Sequence, residues 1–348
     1  MYHKEENILL GISVGDMNGI GPEVILKTFE DTRMLELCTP IVFANSKLLS
    51  YIKKILNITI NFHSIDDLSE IQVGKFNVIN TWKEGVNLEF GVNNETVGQY
   101  AIKSFIDATQ ALKENKIHAL VTAPINKYNI QSEDFSFPGH TDYLNQELEG
   151  DSLMFMVSED IKVGLLTDHL PLREVSSAIT SELIKNKVST IHQSLIQDFN
   201  IQRPKIAILG LNPHSGDNGV IGQEEQEVII PTIKELEEEG FIIYGPFSAD
   251  AFFGNEQHKG FDAVIACYHD QGLIPFKTLS FGKGINYTAG LKQIRTSPDH
   301  GTAYDIAGKG IADEQSFRNA VYLALDIYKN RNEYIISVDN PLVVEDKE

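Results

Sequence analysis

Two spacings of apolar residues alternate along the chain. Short runs rich in Val, Ile and Leu begin at residues 8 (ILLGISV), 40 (PIVFANS), 118 (HALVTAP), 162 (KVGLLTD), 205 (KIAILGL) and 262 (DAVIACY). Between them lie longer stretches with apolar residues three or four positions apart, at 21–33, 95–115, 181–199, 224–240 and 314–330. The short runs read as strands buried on both faces, and the longer ones as the amphipathic helices that cover them. An α/β protein built on a parallel sheet follows. No repeat and no Pro/Gly/Ser-rich linker interrupts the alternation, so composition alone places no domain boundary. The final VVEDKE reads as a solvated end.

In open α/β sheets ligands gather beyond the carboxyl ends of strands, so the residues just after each short run are where chemistry is expected. Three runs lead into histidine: KVGLLTDHLPL into His169, KIAILGLNPHSG into His214 and DAVIACYHDQG into His269. A single loop imidazole is ordinary, but three at one kind of position predict convergence. Three neutral imidazoles with coordination positions left open suit a catalytic Zn²⁺, Co²⁺ or similar cation acting as a Lewis acid. Asp168 and Asp270 stand beside two of them, either as acceptors that orient the rings or as acid/base groups.

Charge narrows the choice of ligand. A formal net charge of -20 over 348 residues opposes nucleic acid and anionic lipid as partners, so an anionic ligand requires a local basic pocket. FPGHTDYL offers one, with Gly139 allowing close backbone approach and His140 and Thr141 as donors; helix capping by Thr141 is the alternative. The glycine-rich stretch 274–313 offers another, where Lys277 and Arg295 are better candidates for a phosphate or carboxylate than Lys283 and Lys292. GDMNGIGPEV runs from a strand into a helix, with Pro22 near the first turn and Glu23 placed for the dipole, and matches neither GxGxxG nor a P-loop. Cys38 and Cys267 are too far apart in sequence to suggest a disulfide framework or cysteine zinc site, which fits a reducing, cytoplasmic compartment. No segment has the apolar length of a signal peptide or membrane span.

Taken together, GDMNGIGPEV, VTAPINK, FPGHTDYL, TDHLPLREV, LNPHSGDNGVIGQEE, YHDQGLIPFK and IRTSPDHGTAYDIAGKGIAD resemble the 4-hydroxythreonine-4-phosphate dehydrogenase family of pyridoxal 5'-phosphate biosynthesis through nearly the whole chain. GIGPEV and HGTAYDIAGKGIAD also resemble the glycine turn and cofactor loop of isopropylmalate and isocitrate dehydrogenases. The resemblance implies a two-domain fold of that type with its active site in the interdomain cleft. Residues 1–128 plus 276–348 would form the cofactor side, and 129–275 the substrate, metal and dimerisation side.

It further implies NAD(P) and a divalent metal (Zn, Co or Mg), the metal held by His169, His214 and His269 shared across a homodimer interface. Substrate contacts map to His140, Thr141, Lys277, Asn286 and Arg295, and cofactor contacts to His300, Gly301 and Asp305. The implied reaction oxidises C3 of 4-phosphooxy-L-threonine and decarboxylates the product to 3-amino-2-oxopropyl phosphate. Lys277 would serve as proton donor or phosphate contact, and Asp270 or Asp250 as base. Relatives acting on 4-phospho-threonate or 4-phospho-erythronate share the histidines, whereas phosphate acyltransferases share a related architecture without needing them. Two departures are Asp168, where the family often has threonine, and GDMNGIGPE in place of the commoner GDPAGIGPE.

Overall fold

The structure is a computed structural model that describes residues 7–132, 135–137 and 139–339; the VVEDKE tail lies outside the described residues. All six apolar runs form strands. In chain order the strands are β1 (Ile8–Ser13), β2 (Cys38–Ala44), β3 (His63–Ile65), β4 (Asn77–Asn80), β5 (Ala119–Thr122), β6 (Gly150–Val157), β7 (Lys162–Leu165), β8 (Lys205–Leu209), β9 (Ile242–Phe247), β10 (Ala263–Ala266), β11 (Ile285–Leu291) and β12 (Arg295–Pro298). The helices are α1 (Gly21–Glu30), α2 (Met34–Leu37), α3 (Ser46–Ile55), α4 (Glu95–Lys113), α5 (His140–Glu147), α6 (Leu172–Ala178), α7 (Ser181–Gln197), α8 (Ile230–Glu238), α9 (Ala249–Gly254), α10 (His269–Leu279) and α11 (Gln315–Asp339).

The strands form one sheet in the order β3-β4-β2-β1-β5-β12-β11-β6-β7-β10-β8-β9. Every residue of β2 is buried, which is why its sequence shows no inside/outside alternation. The two wings of the sheet are parallel, but its centre is not: β12–β11, β11–β6 and β6–β7 all pair antiparallel. This corrects the expectation of a parallel sheet throughout, and for two of the three pairs the reason is connection length. Only residues 158–161 join β6 to β7 and 292–294 join β11 to β12, far short of the crossover that a parallel pair requires.

In the second wing β10 pairs in parallel with β7 on one side and β8 on the other. Their carboxyl ends therefore open on one edge of the sheet, the edge from which the chain runs on to His169, His269 and His214.

Helix α4 covers the first wing. Asn94 caps it by accepting from the Val97 amide at 3.1 Å, and Val97, Ala101, Ile102, Phe105, Ala108 and Leu112 are buried. A Cβ at Gly98 would lie 2.2 Å from the Asn129 carbonyl oxygen, so the helix meets the segment after β5 backbone to backbone. Gly98→Ala would gain about 1 kcal/mol of helix propensity, yet overpacking of this kind costs about 1–3 kcal/mol. A net loss of stability is expected in urea denaturation, and an unchanged midpoint would show that the Asn129 segment yields freely.

Candidate active site

Nine of the expected site residues line one cavity of about 300 Å³: His140, Thr141, His169, His269, Lys277, Asn286, Arg295, His300 and Gly301. His214, Asp250, Asp270 and Asp305 are not among its lining residues. A larger hollow of about 740 Å³, bordered by Phe43, Ile79, Asp66, Asp107 and Glu114, has an acidic rim unsuited to an anion.

Arg295 dominates the smaller cavity. Strand β12 carries it, and the side chain is 2% exposed. Its guanidinium donates to Thr122 Oγ1 at 2.6 and 3.1 Å, to Thr288 Oγ1 at 3.1 Å and to His140 Nδ1 at 3.1 Å. No carboxylate pairs with it among the described residues. Burial pushes its pKa down to about 9, which leaves it cationic at neutral pH.

Because guanidinium only donates, His140 Nδ1 must accept, and the hydrogen of the neutral ring sits on Nε2. Burial, reinforced by Arg295 and Lys127, holds the His140 pKa well below 6.5 and keeps the ring neutral. Its Nε2 is enclosed and has no hydrogen-bond partner, as are Asn286 Oδ1 and His300 Nε2 in the same cavity. Unsatisfied buried polar atoms are costly, and three around one space mark the place of a polar ligand. Helix α5 begins at His140 without a side-chain cap, so Thr141 lies within its first turn and the capping alternative does not hold.

His169 and His269 face one another across the cavity, their ring centroids 6.1 Å apart. His269 Nδ1 donates to Asp270 Oδ1 at 2.7 Å, leaving the Nε2 lone pair free, which is how a carboxylate prepares an imidazole for a metal. Asp270 thus acts on the ring and stands outside the cavity. Asp250 is exposed and accepts from Ser248 Oγ at 2.6 Å. Among the described residues no group of three His, Cys, Asp or Glu is gathered as one chain's metal site.

His214 opens a run of five residues, His214 to Asn218, all with positive φ between 43° and 77°. Four of the five carry side chains, and each such residue costs about 1–3 kcal/mol and persists only where its surroundings dictate the conformation. Glu225 supplies part of that constraint, accepting from the Asn212 amide at 2.7 Å and from Asn212 Nδ2 at 2.9 Å. Ser215 Oγ adds a bond to the Pro246 carbonyl at 3.1 Å.

Sequence reasoning passed over Lys127, which also lines the cavity. It follows β5, so the strand-end rule already used for the histidines would have found it.

The family described as pyridoxal phosphate biosynthetic protein PdxA matches residues 36–324. A 4-hydroxythreonine-4-phosphate dehydrogenase of Bacteroides thetaiotaomicron is 49% identical over 341 residues, covering 97% of this chain and 94% of that protein. The chain belongs to the PdxA family. A crystal structure of a 4-hydroxythreonine-4-phosphate dehydrogenase from Burkholderia phymatum superposes on this PdxA chain with a TM-score of 0.76 at 34% identity, covering 93% and 99% of the two chains. The isocitrate/isopropylmalate dehydrogenase-like fold expected from the sequence is thus the PdxA fold. A further PdxA relative, from Oceanobacillus iheyensis and named provisionally as a D-threonate 4-phosphate dehydrogenase, is 37% identical over 324 residues, 92% of this chain and 97% of that protein.

Proposed function

We propose that the chain is a 4-hydroxythreonine-4-phosphate dehydrogenase that oxidises 4-phosphooxy-L-threonine with NAD(P) and decarboxylates the product to 3-amino-2-oxopropyl phosphate. The observation that carries this reading is the buried, acid-free Arg295 facing the same cavity as the His169–His269 pair. Arg295 and the Nε2–H of His140 would grip an anionic group of the substrate, with Thr141 and Asn286 as further polar contacts. Lys277 supplies a phosphate contact or the proton needed after decarboxylation. His169, His269 and His214 would hold a divalent cation, and the two imidazoles already facing one another suit Zn²⁺ or Co²⁺. A divalent metal held there would supply Lewis-acid chemistry, and NAD(P) would supply the hydride acceptor. His300, Gly301 and Asp305 belong to the segment assigned to the cofactor.

A homodimer would complete the histidine set. Exposed apolar residues follow each histidine in the chain: Leu170 and Leu172 after His169, Val220 and Ile221 after His214, Ile274 and Phe281 after His269. An apolar surface around a polar site favours burial against a second copy. Residues 1–128 plus 276–348 and residues 129–275 would form the two domains, consistent with β1–β5, β11 and β12 being contiguous in the sheet and β6–β10 likewise. No described helix is long and apolar enough to cross a membrane, and we assign the enzyme to the cytoplasm.

The likeness to the Oceanobacillus relative makes 4-phospho-threonate or 4-phospho-erythronate the alternative substrate class. NADH formation measured with 4-phosphooxy-L-threonine and 4-phospho-D-erythronate, each with chelator or with added Zn²⁺, Co²⁺ or Mg²⁺, separates the readings. Metal-dependent turnover of the first is expected; selective turnover of the second would move the enzyme to sugar-acid phosphates, and turnover undiminished by chelator would remove the metal.

A further inference from the structure

Residues 299–312 form turns and irregular backbone, yet the connection from β1 into α1 and α1 itself strap them down along their length. The Ile20 amide donates to the Thr302 carbonyl at 3.0 Å, and a Cβ on Gly19 would meet that same oxygen at 2.7 Å. Further on, Lys27 Nζ donates to the carbonyls of Gly310 and Ala312 at 3.0 and 2.7 Å, while Glu23 Oε1 accepts from the Ala312 amide at 2.8 Å. GDMNGIGPEV is therefore a clamp on another loop.

The deepest part of the clamp is Asp16. It is fully buried, and its carboxylate accepts from the Asn18 amide at 2.9 Å, from Asn129 Nδ2 at 2.8 Å and from Tyr304 OH at 2.6 Å. Three donors on three loops converge on a group that can only accept, so a carboxylate is the matching chemistry and an amide would turn a donor on one of them. Between the two anchored residues, Thr302 and Tyr304, Ala303 has φ +43°, a conformation that survives because both neighbours are tied. Two residues upstream of Thr302, His300 and Gly301 begin the wall of the cavity. Asp16 itself does not line the cavity.

We propose that Asp16 is a positioning residue: by holding Tyr304 it fixes the 300–305 segment and thereby the wall that His300 and Gly301 present to the cofactor. The functional half of this inference rests on the assignment of that segment to NAD(P), and the test keeps the two apart.

Asp16→Asn and Tyr304→Phe are compared with the unaltered full chain by hydrogen exchange and mass spectrometry without cofactor, and then by steady-state kinetics. Peptides covering 300–305 should exchange roughly tenfold faster in both variants, while β5 and α11 keep their protection. KM for NAD(P) should rise roughly tenfold, with a smaller change in KM for the phosphorylated substrate. Tyr304→Phe keeps the ring and cuts the same bond from its other end, so the test survives if Asp16→Asn fails to fold. Unaltered exchange over 300–305 in a folded variant would overturn the proposal. Faster exchange there with an unmoved KM for NAD(P) would uphold the positioning role and remove the cofactor from this segment.

Discussion

Arg295→Met is expected to lower kcat/KM by about 10²- to 10³-fold while leaving the protein as stable as before, or more stable. Removing one member of a buried, hydrogen-bonded charge contact costs about 2–5 kcal/mol in binding, which sets the size of the kinetic loss. Stability should not fall with it. Arg295 is a buried cation without a carboxylate, and the penalty for enclosing an ion is several kcal/mol. Its four bonds to Thr122, Thr288 and His140 come from a charged donor and return about 1.5–3 kcal/mol each, which roughly offsets that penalty. Methionine fills similar volume without a charge to bury, so the folded state loses both the penalty and the bonds that offset it.

Acid dependence supplies a second readout for Arg295. His140 is held well below 6.5 when folded but takes up a proton near 6.5 when unfolded, so stability falls as pH drops below about 6.5. Removing the neighbouring guanidinium lets folded His140 protonate more readily, and that decline should become shallower. Thermal unfolding from pH 5 to 8, with and without inorganic phosphate, reports both effects: phosphate should stabilise the unaltered protein and leave Arg295→Met unmoved. A variant that unfolds early yet keeps its kcat/KM would make Arg295 a structural residue.

What was legible in the sequence follows from burial. Strands enclosed on both faces, such as CTPIVFA in β2, have no choice but continuous hydrophobicity, and they were readable. Strand β3 at the edge of the sheet and its neighbour β4, HSI and NVIN, are short and partly polar, and carry no such imprint. The antiparallel centre was hidden for another reason: two of its three pairs are set by connections of a few residues, and the pattern within a strand says nothing of its direction.

The site divides along the same line. His169 and His269 came from strand ends, whose direction the sheet dictates. His214 was found by the same rule, but where its side chain goes depends on five left-handed residues that no periodicity encodes. Asp270 was chosen for standing next to His269 in sequence, and the cavity is made by nearness in space. Asp16 was missed because an aspartate in a glycine turn reads as solvated, and only the tertiary fold brings Asn129 and Tyr304 to it.

A one-to-one mixture of His214→Ala and His269→Ala chains, unfolded and refolded together, is expected to recover activity that neither variant has alone. One chain brings His169 and His269 together and leaves His214 outside the cavity lining. If a second copy completes the set, losing either ligand from both chains removes several kcal/mol of Lewis-acid assistance, about a 10³-fold fall in each pure variant. In a mixed dimer, the two lesions fall on the same one of its two sites and spare the other. Random pairing makes half the dimers mixed, so about a quarter of the original activity should return. This holds whether His214 or His269 is the residue that crosses between copies, because either arrangement draws the set from both chains. A set drawn wholly from one chain gives no recovery, since each chain then carries its own defect. Light scattering on the refolded mixture distinguishes that outcome from failure to pair: dimers without activity would sink the shared site, and monomers would sink the dimer itself.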